Sequence, residues 1–284
     1  MASPAPTTSS DRVRSSDRVR QLAVVFSEVA CVIGTLVGVG VIGTRVQESS
    51  GGSLAADATL IAPAVPAFSI WSVIYLGLAA YTVWQVLPAQ ARDPRARATG
   101  WLAAASMLLN AAWLLVTQVG WIWVSVLVMA ALAGVLGVLV RRLTETAADG
   151  GGLVQTVVLD GTFGLYLGWV AVAACANVTA AFVASGVRPA SPVADALAVV
   201  VLAVAAAVGI VLARRLGGRY AVAAAMAWGL GWITWGRLTD APRSMPTAVA
   251  AAVAAVVVLI AAQREASRRS RSSSAVVPDP RART

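Results

Sequence analysis

The fold class this sequence predicts is an all-α integral membrane protein with eight transmembrane helices and both termini cytoplasmic. Three observations carry that reading. Of 284 residues, 58% are hydrophobic and only 12% charged, too few charges to clothe a soluble chain of this size. The apolar residues fall in eight runs, each close to the roughly 20 residues that cross the hydrocarbon core. The basic residues lie between those runs in alternation, as the positive-inside rule requires.

Residues 1–20 are polar and carry a tandem repeat, SSDRVR at 9–14 and again at 15–20, which reads as a disordered basic arm at the lipid surface. The first apolar run, 22–43, is long for a signal-peptide core and lacks a small-x-small cleavage site before Arg45, so it is kept as a helix. Further runs follow at 66–88, 100–117, 120–140, 160–183, 193–213, 219–236 and 246–263, the third and fourth joined by a tight turn near Gln118 and Gly120. With the N-terminus inside, 18 of the 22 arginines fall on the cytoplasmic side; only Arg45, Arg188, Arg237 and Arg243 fall outside. Residues 264–284 are rich in Arg and Ser, with Pro278 and Pro280, and read as a second disordered segment. The longest outside connection, 44–65, is long enough to fold over the mouth of a cavity, or is simply a flexible loop.

Composition also excludes chemistry. Every basic residue is Arg, and there is no His. Imidazole metal sites, Ser-His or Cys-His nucleophiles, a lysine Schiff base and a histidine proton relay are therefore ruled out. No phosphate-cradling glycine loop, zinc spacing or nucleophile elbow is present, so no catalytic and no metal-ligating residue is assigned. The net charge of +9 is distributed beside the apolar runs, not on one face, which argues against nucleic acid as a partner. Cys31 and Cys175 lie within apolar runs and read as packed thiols.

Three acidic residues fall in or at the spans. Asp160 and Asp195 read as helix starts, their side chains accepting free backbone N–H groups. Glu28, two turns into the first run, needs a partner, a cavity or a proton. Polar and aromatic residues at helical spacing say more. Phe68, Trp71, Tyr75 and Thr82 share one face of the second run, with Gln85 near its end. Asn110 and Trp113 are three apart in the third, followed by Thr117; Tyr166, Trp169, Ala173 and Asn177 share a face of the fifth. These are either interhelical polar glue with bulky packing, or the walls of a pocket for a flat apolar ligand. Gly34 with Gly38, and Gly164 with Gly168, form GxxxG pairs for close helix approach, as does the run Ala171, Ala173, Ala174, Ala176; such faces also offer a route to a homodimer.

At these residues the chain resembles the TspO/MBR family of tryptophan-rich sensory and translocator proteins. Phe68-Ser69-Ile70-Trp71-Ser72-Val73-Ile74-Tyr75 is similar to the family's second-helix signature, a proline-led segment running into Trp-x-x-x-Tyr. Leu109-Asn110-Ala111-Ala112-Trp113 is similar to its third-helix Leu-Asn-x-x-Trp. Tyr166-Leu167-Gly168-Trp169-Val170-Ala171-Val172-Ala173, followed by Asn177, is similar to its fifth-helix motif. The likeness covers residues 22–185 and implies a five-helix bundle (21–185) whose cavity the first loop closes, with three additional helices at 186–263 that include Trp228, Trp232 and Trp235. The chain departs from the pattern at Val65-Pro66, where the family has a further Trp, at the separated Pro63 and Pro66, and at Ser69-Ile70, which replace a Gly-Pro.

The resemblance implies a porphyrin, sterol-like lipid or apolar drug as ligand, with Trp71 and Trp169 facing it and Phe68, Tyr75, Asn110, Trp113, Tyr166 and Asn177 lining the site. No cofactor is required, and without His a tetrapyrrole would be held by stacking and edge hydrogen bonds. The expected partners are therefore the bilayer and one small apolar molecule, with the protein acting as sensor or translocator. Two alternatives stand beside this reading: a proton-coupled transporter using Glu28, and light-dependent porphyrin breakdown using cavity Trp. The Arg-only basicity and abundance of Ala, Val and Gly suit a GC-rich bacterial genome and hence a bacterial plasma membrane.

Overall fold

A computed structural model describes residues 15–146 and 152–275. Among them there is no strand; eight long helices run α1 Ser15–Gly38, α2 Ile70–Val86, α3 Pro94–Gln118, α4 Ile122–Glu145, α5 Thr162–Ala184, α6 Val193–Leu216, α7 Tyr220–Thr239 and α8 Met245–Ala275. Seven are long and apolar enough to cross a membrane, α2 and α5 when counted with the helical turns that lead into them. The remaining helix, α7, is 20 residues long, which spans about 30 Å. Its hydropathy is lowered by Trp228, Trp232, Trp235, three glycines and Arg237.

Local chemistry sets the boundaries. The first helix stops at Gly38, short of the expected residue 43, because Gly40 and Gly43 take positive φ (79° and 87°) and turn the chain. Helix α3 starts earlier than hydropathy indicates: Asp93 accepts a hydrogen bond from the Ala96 N–H at 2.7 Å, and Pro94 occupies the first helical position. Gly120 (φ 78°) makes the tight α3–α4 turn where the sequence places it. Helical structure reaches into both terminal segments. The second SSDRVR repeat is the first turn and a half of α1, with Asp17 and Arg20 buried, and α8 carries the chain on to Ala275. Residues 1–14 and 276–284 of those two segments lie outside the described residues.

Helix packing follows the small residues. Gly34 meets the Ala111 backbone, so α1 lies directly against α3. A Cβ at Gly164 would come within 2.8 Å of the Ala221 methyl, and one at Gly168 would strike the Val222 carbonyl, so α5 lies equally close to α7. Both GxxxG pairs thus serve close helix approach within the chain. Helix α7 joins the two parts of the protein: it packs on α5 and on α8, and α8 in turn packs on α6. The outward faces are a continuous apolar coat, with Phe26, Leu76, Leu127, Val200 and Val253 exposed.

The two ends of the bundle differ. At one end arginines close the structure. Asp160 does not cap a helix start; helical structure begins upstream at Leu153, and a π-helical stretch, Thr156–Gly161, carries Asp160 into an ion-pair hub. Its carboxylate accepts from Arg95 on α3 at 2.6 Å and from Arg219, just before α7, at 2.5 Å. Asp17 likewise holds Arg97 at 2.7 Å, and buried Arg20 donates to the Ala91 carbonyl at 3.1 Å. The other end is covered by residues 44–65. Gln118 and Thr44 exchange two hydrogen bonds (2.7 and 3.2 Å), and Ser50 donates to the Thr117 carbonyl at 2.9 Å, folding the loop back over α1 and α3.

Candidate ligand-binding site

Beneath that loop lies a cavity of about 60 Å³. Val46, Leu54, Ala55, Thr59 and Pro63 of the loop roof it, and Phe68, Trp113, Trp169 and Asn177 line its sides. Helix α5 supplies the rest of the wall through Val172, Ala173, Ala176 and Ala180. The alanine run expected to bring helices together therefore has a second use. Ala173, Ala176 and Ala180 share a face, and their short side chains leave space where larger ones would fill it.

The eight residues expected at the site do converge, but in two layers. Phe68, Trp113, Trp169 and Asn177 face the cavity. Trp71, Tyr75 and Tyr166 pack beside them as a continuous aromatic cluster. Trp71 stacks on Tyr75 (centroids 5.2 Å, 16°) and meets Tyr166 and Trp169 edge to face at 5.8 and 6.2 Å; Phe68 meets Trp169 edge to face at 5.8 Å. Such pairs contribute about 0.5–1.5 kcal/mol each beyond area burial, so this layer is rigid. Trp71 thus supports Trp169 instead of lining the hollow, because at this depth the helices leave no space between the two rings.

Amide groups fix the layers in register. Asn110 donates to the Tyr75 hydroxyl at 3.0 Å and lies 3.4 Å from the Cys31 sulfur. The Trp113 indole donates to Asn177 Oδ1 at 3.0 Å, and Asn177 Nδ2 donates to Ser125 Oγ at 2.9 Å, joining α3, α5 and α4. Tyr166 donates to the Ser106 carbonyl at 3.2 Å. Against this well-satisfied background some buried polar atoms stand alone. The Trp169 indole N–H has no acceptor although the side chain is 2% exposed, and Asn110 Oδ1 and Glu28 Oε2 have no donor. Buried indole N–H groups ordinarily find a partner, and this one, on a residue that lines the cavity, has none.

Sequence reasoning missed the contribution of α7. Arg237, expected in an outside connection, is 1% exposed. Its guanidinium donates to the Thr59 and Ala56 carbonyls of the roof (3.2 and 3.1 Å) and to the Pro242 carbonyl (2.9 Å). Trp228 donates to the Ala67 carbonyl at 2.9 Å, and the Trp232 carbonyl accepts from the Ala64 N–H at 3.3 Å, steadying the proline-led turn that carries Phe68. The available signal was an arginine ending a Trp- and Gly-rich span less apolar than its neighbours.

Among known proteins, no curated protein and no solved structure matches the chain. The model of one family, described as TSPO-like protein, matches residues 22–263 and so reaches from α1 into α8. This multi-pass membrane chain belongs to the TSPO-like protein family.

Proposed function

We propose that the protein binds a flat apolar small molecule, tetrapyrrole- or sterol-like, between the Trp169 side of the bundle and the 44–65 roof, as a sensor or translocator. The observation that carries this reading is a roofed, largely apolar cavity lined by Trp113 and Trp169, with the Trp169 indole N–H unpaired. Family membership adds weight, since the TspO/MBR motifs around Trp71, Asn110 and Trp169 imply ligands of this kind. The site residues in this reading are Phe68, Trp113, Trp169 and Asn177 in contact, with Trp71, Tyr75, Asn110 and Tyr166 holding them in place.

A cavity of about 60 Å³ is roughly five times smaller than the smallest usual ligand pocket. Binding therefore requires the roof to lift. Helices α2, α3 and α5 are locked by aromatic and amide contacts, whereas the roof is attached by carbonyl hydrogen bonds to Arg237 and a few side chains, so the roof is the part that moves. With no imidazole in the chain, a tetrapyrrole is held by indole stacking and hydrogen bonds to its edge.

We place eight spans in a bacterial plasma membrane with both termini cytoplasmic, supported by the distribution of 18 of 22 arginines. The 44–65 roof then faces outward. Protoporphyrin titrated into liposomes holding the protein quenches Trp fluorescence saturably. Trp169→Phe and Ala176→Phe, which remove the donor and fill the cavity, weaken that saturation by about tenfold, the scale of one lost directed contact. Unchanged binding in both variants overturns the assignment.

A second reading has its own observation. Glu28 is 8% exposed and its Oε2 is unpaired within a predominantly apolar helix bundle, which suits a proton-coupled carrier. A proton-gradient-dependent solute flux abolished by Glu28→Gln, with protoporphyrin binding intact, supports it over the first.

A further inference from the structure

The roof has a second side. Above it, between the end of α5 and the start of α6, opens a chamber of about 730 Å³, within the range of roughly 300–1,000 Å³ that holds small molecules. Leu60 and Ile61 of the roof, Phe182 and Val183 of α5, and Leu197 and Val201 of α6 make its walls apolar. Thr59 lines both this chamber and the inner cavity, so the roof segment is the partition between them.

Three polar features distinguish the chamber from a chance gap between helices. Thr59 is 5% exposed, and its hydroxyl has no hydrogen-bond partner, an omission that buried hydroxyls rarely tolerate. Arg188, exposed in the α5–α6 turn at the rim, makes no ion pair or side-chain hydrogen bond among the described residues. Asp57 sits on the same rim, and its charge acts on buried Arg237. Among the described residues the rim therefore offers one free cation for a single negative charge, and Asp57 opposes a second.

We propose that this chamber is a binding site for a single-chain amphiphile with a monoanionic carboxylate head, a long-chain fatty acid. Its chain lies along the seam between α5 and α6, where the wall is apolar and open to the lipid. Its head is drawn to Arg188, and the buried Thr59 side chain lies in the partition with its hydroxyl unpaired. A phosphate head bearing two charges fits less well because Asp57 faces it, and a two-chain phospholipid exceeds the space. The site depends on the C-terminal helices, since α6 forms one wall.

The test uses the full chain in phosphatidylcholine nanodiscs with two photoreactive probes: palmitic acid bearing a diazirine near its methyl end, and its methyl ester. After illumination, mass spectrometry maps the labelled residues. The acid labels Thr179–Val183 and Leu197–Val201 several-fold more than the ester does. Arg188→Gln, an exposed change that leaves packing untouched, lowers acid labelling by about threefold, the scale of an exposed ion pair. Ala198→Phe, which fills the chamber, removes labelling of Phe182. A lysophosphatidic acid probe labels less than the fatty acid. Equal labelling by acid and ester, labels spread over outward faces such as Leu76 and Leu127, stronger labelling by the phosphate probe, or a pattern unchanged by Arg188→Gln each overturns the proposal.

Discussion

The two ends of the bundle use the same residue, arginine, to opposite effect. At the Asp160 end, Arg95 and Arg219 share one carboxylate, and Asp17 holds Arg97, so each buried cation is paired with an anion. At the roof end, Arg237 is buried with only carbonyl oxygens as hydrogen-bond partners. Paired charges hold helices at fixed positions, and losing one partner leaves the other uncompensated in low dielectric. Charge–carbonyl bonds hold a loop whose carbonyls can be rehydrated once it lifts. In the proposed reading one end is a fixed base and the other a removable cover, although both are closed by the same chemical group.

The largest expected effect is at the base. Asp160→Asn leaves Arg95 and Arg219 without their shared anion and lowers stability by about 3–5 kcal/mol. It shows as a lower unfolding temperature in detergent, with amide exchange in residues 53–62 unchanged. Next is Arg237→Met, costing about 2–3 kcal/mol for hydrogen bonds to a charged donor. Here the order is reversed: exchange across residues 53–62 rises sharply while the α3–α5 core keeps its protection. If the two variants give the same exchange pattern, the contrast between base and cover is wrong.

Gly168→Ala tests the join between the two parts. Its methyl would meet the Val222 carbonyl, so α7 must shift away from α5, at about 1–3 kcal/mol. Loss of stability accompanied by faster roof exchange is expected, because α7 carries Arg237. The smallest effect is Trp113→Phe, which removes one hydrogen bond to Asn177 for about 1 kcal/mol and leaves roof exchange as it was.

Much of the fold was legible because hydropathy, glycine turns and GxxxG pairs are local signals. Gly120 marks the α3–α4 turn and Gly164 and Gly168 mark a close approach, though only the structure names α7 as the partner. Asp160 was read as a cap because an acidic residue before Gly-Thr at the head of an apolar run has that form. The long-range arginines that claim it, 65 and 59 residues away, leave no local trace. The convergence of Trp71 and Trp169 was legible from helical spacing, but depth was not. Spacing gives a face, and whether two facing rings enclose a space or fill it depends on interhelical distance. Arg237 was counted for topology by its sign alone, which hides a guanidinium turned inward.

The central claim is that a ligand reaches Trp169 only when the roof lifts. It is tested most directly by the distance between spin labels at Asp57→Cys on the roof and Val119→Cys at the end of α3, in a chain with Cys31 and Cys175 replaced by Ala. Pulsed electron–electron resonance in nanodiscs, with and without saturating protoporphyrin, reads that distance. The account predicts a second, displaced population of several ångströms that grows with protoporphyrin and is already present without it in Arg237→Met. A single unchanged distance at saturation would contradict it.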